Sequence, residues 1–106
     1  MPREAHFIER LNHFKPVDKA RNIWESGWWA ISPGTADQLV GGSLFLHKKQ
    51  TEPSFFGGLI TAFRTETEGE WPGRIVFTFI SRAEEKGVKT PKKGWSMEKK
   101  IILEDA

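Results

Sequence analysis

Apolar residues in this chain come in short runs separated by Gly, Pro and charged stretches, and the runs are too short for long helices. Residues 74–81 read Arg-Ile-Val-Phe-Thr-Phe-Ile-Ser behind Pro72-Gly73, the clearest strand in the sequence. Residues 43–48 and 57–64 are further runs of this kind, the first following Gly42 and the second opening on Gly57-Gly58. Residues 28–31, Trp-Trp-Ala-Ile, are bounded by Gly27 and by the turn signal Ser32-Pro33-Gly34, and they too read as a strand. Residues 99–103 return as a closing strand.

Between the runs at 28–31 and 43–48 the pattern changes. Thr35 stands three residues before Gln38, the capping-box spacing, so a helix of one to two turns is expected there, ended by Gly41-Gly42. The stretch up to Lys19 has no clear period, and Pro16 excludes a long helix in it. Residues 6–11 fit a short strand or a single helical turn equally well. Phe55-Phe56 falls in the loop after Pro53-Ser54. Residues 65–73 form a polar connection whose Pro72-Gly73 suits a type II turn, and residues 83–96 form a Lys- and Gly-rich loop.

Five strands, one short helix and turns rich in Gly and Pro predict a mainly β (α+β) domain over residues 1–106. Ile75, Phe77 and Phe79 alternate with the apolar Val76 and Ile80, so the central strand is apolar on both faces. A small mixed β-barrel of about five strands with covering segments accommodates this better than an open two-layer sheet. The twin glycines at 41–42 and 57–58 are expected to mark bulges or corners of that barrel.

Composition narrows the chemistry. Cys is absent from the 106 residues, which excludes disulfides, thiolate metal sites and a Cys nucleophile. The start of the chain lacks the apolar stretch of a secretory signal and no run reaches membrane-span length, so a cytoplasmic protein with no membrane partner is expected. The formal net charge is only +2, but the charges are unevenly placed, with seven Lys or Arg between Arg82 and Lys100 against Glu84, Glu85 and Glu98 there, and an acidic run at Glu66, Glu68 and Glu70. The three histidines lack zinc-ligand spacing, and no nucleophile elbow, phosphate loop or dinucleotide fingerprint occurs. No catalytic residue, metal ligand or cofactor is therefore named.

Aromatic residues are the unusual feature: 5 Trp and 8 Phe with no Tyr. As strand neighbours Trp28 and Trp29 must face opposite sides, which places at least one of them at the surface or in a cleft. Beside them stand His47, Lys48 and Lys49. The lysines could contact phosphates, Arg64 could pair with one bidentately, and indole or phenyl rings could stack on a base.

The element order resembles a known family. Trp28 or Trp29 on a first strand is followed by a short helix and then by Leu39-Val40-Gly41-Gly42-Ser43-Leu44-Phe45-Leu46-His47. A Pro53-Ser54 loop and Gly57-Gly58-Leu59-Ile60-Thr61-Ala62-Phe63 complete the unit. Over residues 24–81 this is similar to the PUA-like barrels of the EVE and ASCH branches, with Gly42 standing where EVE-like proteins carry an Asp. The block from His47 to Gly58 also resembles small uncharacterised bacterial and phage proteins. The PUA-like resemblance implies a nucleic-acid-binding module with a pocket at the barrel mouth for a flipped, modified or single-stranded base. It implies Trp28, Trp29 and Phe56 as pocket walls, Ser32 or Ser54 as hydrogen-bond donors, and Lys48, Lys49 and Arg64 at phosphates. Two alternatives accompany it. One is a protein-interaction domain, such as a phage or bacterial accessory protein, and the other is a small nucleoside hydrolase using Glu25 or Glu52.

Overall fold

Seven strands form one sheet in the computed structural model, which describes residues 3–10 and 13–103. They are β1 (Arg3–Ile8), β2 (Phe14–Asp18), β3 (Ile23–Trp29), β4 (Ser43–His47), β5 (Ser54–Thr65), β6 (Ile75–Ser81) and β7 (Lys99–Leu103). The sheet order is β2-β3-β6-β5-β4-β1-β7. Every neighbouring pair is antiparallel except β1 with β4. The mainly β class with one helix is thus observed, with two strands more than the sequence pattern predicts. Of the ambiguous residues 6–11, His6 to Ile8 are strand, and Leu11 lies outside the described residues. β2 forms despite Pro16 because it is an edge strand, where the missing N–H breaks no inner ladder.

The helix α1 (Pro33–Leu39) starts three residues earlier than the capping pattern predicts. Ser32, not Thr35, is its N-cap, and the Thr35 amide donates to Ser32 Oγ at 3.1 Å. Pro33 occupies the first turn, where no N–H is needed. Ala36 and Leu39, both fully buried, fasten the helix onto the core.

A second correction concerns Phe55 and Phe56, which lie in β5 and not in a loop. Across from them the register shifts between Leu46 and His47, the pattern of a bulge, and both rings pack against the core. The adjacent Gly57 and Gly58 are needed for close approach. A Cβ on Gly57 would collide with the Leu44 carbonyl oxygen, and one on Gly58 with that of Ile80. These glycines therefore let the backbone pack beside a bulge.

Alternation along the strands sends Ala5, Phe7, Leu44, Leu46, Ile60, Phe77 and Phe79 to one face, where they form the core. The sheet curls around that face without closing. Its outermost strands are β2 and β7, and no ladder joins them among the described residues. Side chains span the opening instead. Phe7 stacks on Trp29 at 4.1 Å between centroids, and Phe14 reaches Phe55 and Phe56 at 5.9 and 5.5 Å. On the opposite face of β1, β4 and β7, the segment 86–98 folds over His6, Phe45 and His47. Trp95 meets both imidazoles, and the buried Lys100 ammonium donates to Thr90 Oγ1 at 2.8 Å and to the Pro91 carbonyl at 2.7 Å. No helix among the described residues is long and apolar enough to cross a membrane.

Candidate functional site

The incomplete closure of the sheet leaves a cleft of about 570 Å³ at the seam. The end of β1 with residues 9, 10 and 13 lines one side, and β3, Trp71 and Arg74 line another. The turn preceding β7, residues 96–99, lines the rest. Phe7, Gly27 and the deeply buried Trp29 reach its lining.

Three rings make the wall. Trp28 and Trp71, both half-buried, lie 5.0 Å apart with a tilt of 32°. His13 stands edge-on to Trp28 at 5.0 Å and tilts against Trp71 at 5.3 Å. These spacings mean that the rings touch one another, so a flat ligand would stack on the outside of the group. Trp71 reaches this position through the Trp71-Pro72-Gly73-Arg74 turn. Gly73 has φ +86°, Arg74 N donates to the Trp71 carbonyl at 3.2 Å, and together these give the type II geometry expected of Pro-Gly.

Trp28 is held in place chemically. Its Nε1 donates to Glu66 Oε1 at 2.9 Å, and Arg64 Nη1 donates to Glu66 Oε2 at 3.2 Å. The indole N–H, and after it the Arg64 charge, keep the Glu66 carboxyl below the usual carboxylate range. Arg64 also faces Glu25 at 3.8 Å, and both border a smaller hollow of about 160 Å³ behind Trp28. Charges of both signs line the main cleft: Arg10, Arg74 and Lys99 with Glu9 and Glu98. Glu9 is nearly sealed, and its Oε2 accepts from the His13 backbone N–H at 3.3 Å.

Of the residues singled out in the sequence, Trp28, Trp29 and Arg64 are brought together here, with Trp29 serving mainly as core. The others lie elsewhere. Ser32 is committed to capping α1. Ser54 is buried, and its hydroxyl donates to the Glu85 carbonyl at 2.6 Å and accepts from Val88 N at 3.0 Å. Phe56 packs on Trp24, Phe14 and Phe79. Lys48 lies over the Phe55 ring at 4.3 Å, and Lys49 pairs with Glu52 at 3.8 Å.

His47 is fully buried in a hydrogen-bonded chain. Its Nδ1 donates to the Glu52 carbonyl at 2.9 Å, its Nε2 meets His6 Nδ1 at 2.9 Å, and His6 Nε2 meets Glu4 Oε1 at 2.8 Å. Burial holds both imidazoles below their ordinary range; the Glu4 bond on His6 and the Glu52 carbonyl on His47 pull the other way.

Reading the sequence misses His13, Trp71, Glu66 and the cleft arginines Arg10 and Arg74. An indole placed beside Pro-Gly in an otherwise acidic connection is the one signal that could have exposed Trp71. Among the described residues no group of three or more His, Cys, Asp or Glu is arranged to hold a metal ion. Comparison of the chain with protein-family models, curated proteins and solved structures finds no match.

Proposed function

We propose that this chain is a nucleic-acid-binding module of PUA-like type that receives an unstacked base in the seam cleft. The observation carrying this reading is the group of Trp28, Trp71 and His13, half-open rings beside Arg10, Arg74 and Lys99 in a cleft of about 570 Å³. A base removed from its stack loses a few kcal/mol, and stacking on an aromatic face returns about 1–3 kcal/mol per base. The cations at the rim suit the phosphates on either side. A curled, mainly β sheet with a short helix between β3 and β4 is compatible with the PUA-like order, and the opening between the terminal strands takes the part of the barrel mouth. The hydrolase alternative receives less support. Glu25 and Glu52 face Arg64 and Lys49 across 3.8 Å, and neither lines the main cleft.

The test is a titration of tryptophan emission with short single-stranded RNA and DNA at two salt concentrations. Saturable quenching that weakens with salt is the expected result. No spectral change with any strand at the lower salt would overturn the reading. A stoichiometric protein partner that survives nuclease treatment would favour the interaction-domain alternative in its place.

A further inference from the structure

The seam cleft is one end of a longer feature. Its rim segment 96–99 is tied to the turn after β4, where Gln50 Nε2 donates to the Met97 carbonyl at 2.7 Å. That turn carries Lys48 and Lys49, both exposed. From the same rim the chain runs back through segment 86–95, which presents Lys86, Lys89, Lys92 and Lys93 to solvent. The two groups of cations meet along β5. The Lys48 ammonium sits over the Phe55 ring at 4.3 Å and the Lys86 ammonium over the neighbouring Phe56 ring at 5.3 Å. The segment is pinned beside them, since Ser54 N donates to the Val88 carbonyl at 2.8 Å and Gly87 N to the Ser54 carbonyl at 2.7 Å.

Carboxylates offset only part of this charge. Glu52 faces Lys49, the buried Glu85 is taken by Arg82, and Glu84 and Glu98 are exposed at the two ends of the segment. The acidic run Glu66, Glu68 and Glu70 belongs to the β5–β6 connection that carries Trp71, on another side of the cleft. The cleft therefore has an aromatic wall on an acidic connection and a rim joined to a lysine face. A ligand whose anionic chain lies over the lysines and whose flat neutral group turns toward the indoles matches that polarity.

We propose that the lysine face of residues 48–49 and 86–93 is a track for a phosphodiester backbone. It extends the seam cleft, so the ligand is a single strand several nucleotides long with one base on Trp28 and Trp71. This rests on the function proposed above and adds to it the length of the ligand and its direction across the surface. A free nucleotide would fill the cleft alone and leave the track empty.

The two ideas separate in one experiment. Binding of a mononucleotide and of a nine-nucleotide single strand is measured over a salt series for the intact chain, Trp28→Ala, the triple variant K89Q/K92Q/K93Q and the charge-keeping K89R/K92R/K93R. The expected result is tighter binding of the longer strand, with a log–log salt slope that flattens by about 2 in the Gln variant and stays in the Arg variant. Mononucleotide binding should be unchanged by the Gln substitutions and lost with Trp28→Ala. An unchanged slope and affinity for the long strand in the Gln variant would overturn the track and leave the cleft reading standing. A strand bound by Trp28→Ala with undiminished affinity would sustain the track and count against the cleft. Absence of binding by the intact chain would overturn both.

Discussion

His13 and Phe14 are neighbours in the sequence, yet they belong to two aromatic clusters with opposite fates. Phe14 joins Trp24, Phe55 and Phe56, rings 4.9–6.0 Å apart that are packed against the core and bridge the curled sheet. His13 joins Trp28 and Trp71 at similar spacings, but this group borders an open cleft. The first cluster is anchored by the core residue Phe79 beneath it. The second is anchored by a hydrogen bond to a carboxylate at the surface. Ring spacing therefore does not distinguish core filling from the wall of an open cleft; what lies behind the rings does.

The strongest way to break this comparison is to truncate one ring in each cluster. Phe56→Ala should destabilise the fold by about 2–4 kcal/mol through lost burial and an incompletely collapsed cavity. In a domain of this size each kcal/mol lowers Tm by about 4–8 °C. Mononucleotide titration should be nearly unchanged at temperatures where the variant remains folded. A thermal midpoint within a degree or two of the parent would mean that the Phe14 cluster is not structural filling.

Trp28→Ala and Trp71→Ala should show the reverse. Each removes a half-exposed ring, so the loss in Tm should be smaller than for Phe56→Ala. Affinity for a single strand should fall by about 1–3 kcal/mol, the usual value of one stacked base. Calorimetry of the variants beside a fluorescence titration checks both halves. A large Tm loss with undiminished binding would place these indoles with the core after all.

How much of this was legible follows from the kind of signal each part leaves. The strands at 43–48, 57–64, 74–81 and 99–103 stand out because local apolar runs encode them. β1 and β2 are harder to read: β1 alternates the core residues Ala5 and Phe7 with the buried polar His6, and β2 carries Pro16. β1 is made by pairing with the distant β4 and β7, and β2 by a local hairpin onto β3. Trp28 and Arg64 are recognisable as candidates by residue type. Their partner Glu66 looks like one member of a solvated run, and nothing local shows that it accepts a bond from an indole 38 positions away. Ser54 and His47 mislead for the complementary reason: residues that suit a ligand also suit a carbonyl, and here carbonyls have taken them.

The buried histidines supply a further contrast, because they respond to pH without being exposed. Unfolded, both titrate near about pH 6.5. Folded, burial holds them lower, against the Glu4 contact on His6 and the Glu52 carbonyl on His47, while Lys100 is the cation facing His6 from β7. Below about pH 6.5 the unfolded chain therefore binds more protons than the folded one. The stability these groups provide is present above that pH and declines as the pH falls toward the folded values. Denaturant midpoints should decrease between about pH 7.5 and 5.5, and a flat or rising profile would show that burial does not dominate at His6 and His47.

The smallest expected effect tests the anchor of the open cluster. Glu66 titrates below the ordinary carboxylate range because the Trp28 N–H and the Arg64 guanidinium favour its charged form. Between its folded value and about pH 4.3, the unfolded carboxyl takes up protons that the folded one does not. Its stabilising contribution is therefore complete above about pH 4.3 and is lost as the pH falls through the folded value. That loss should be slight, since the pair is open to solvent and screened. The optical consequence is easier to see. Protonation weakens the acceptor facing the Trp28 indole, so emission should change in a step at acid pH, while Glu66→Gln keeps a neutral acceptor and should lack that step. The difference between the two titrations isolates Trp28 from Trp24, Trp29, Trp71 and Trp95, none of which bonds Glu66. Superimposable curves would mean that the bond does not hold the indole, and the cleft wall would then owe its shape to His13 and Trp71 alone.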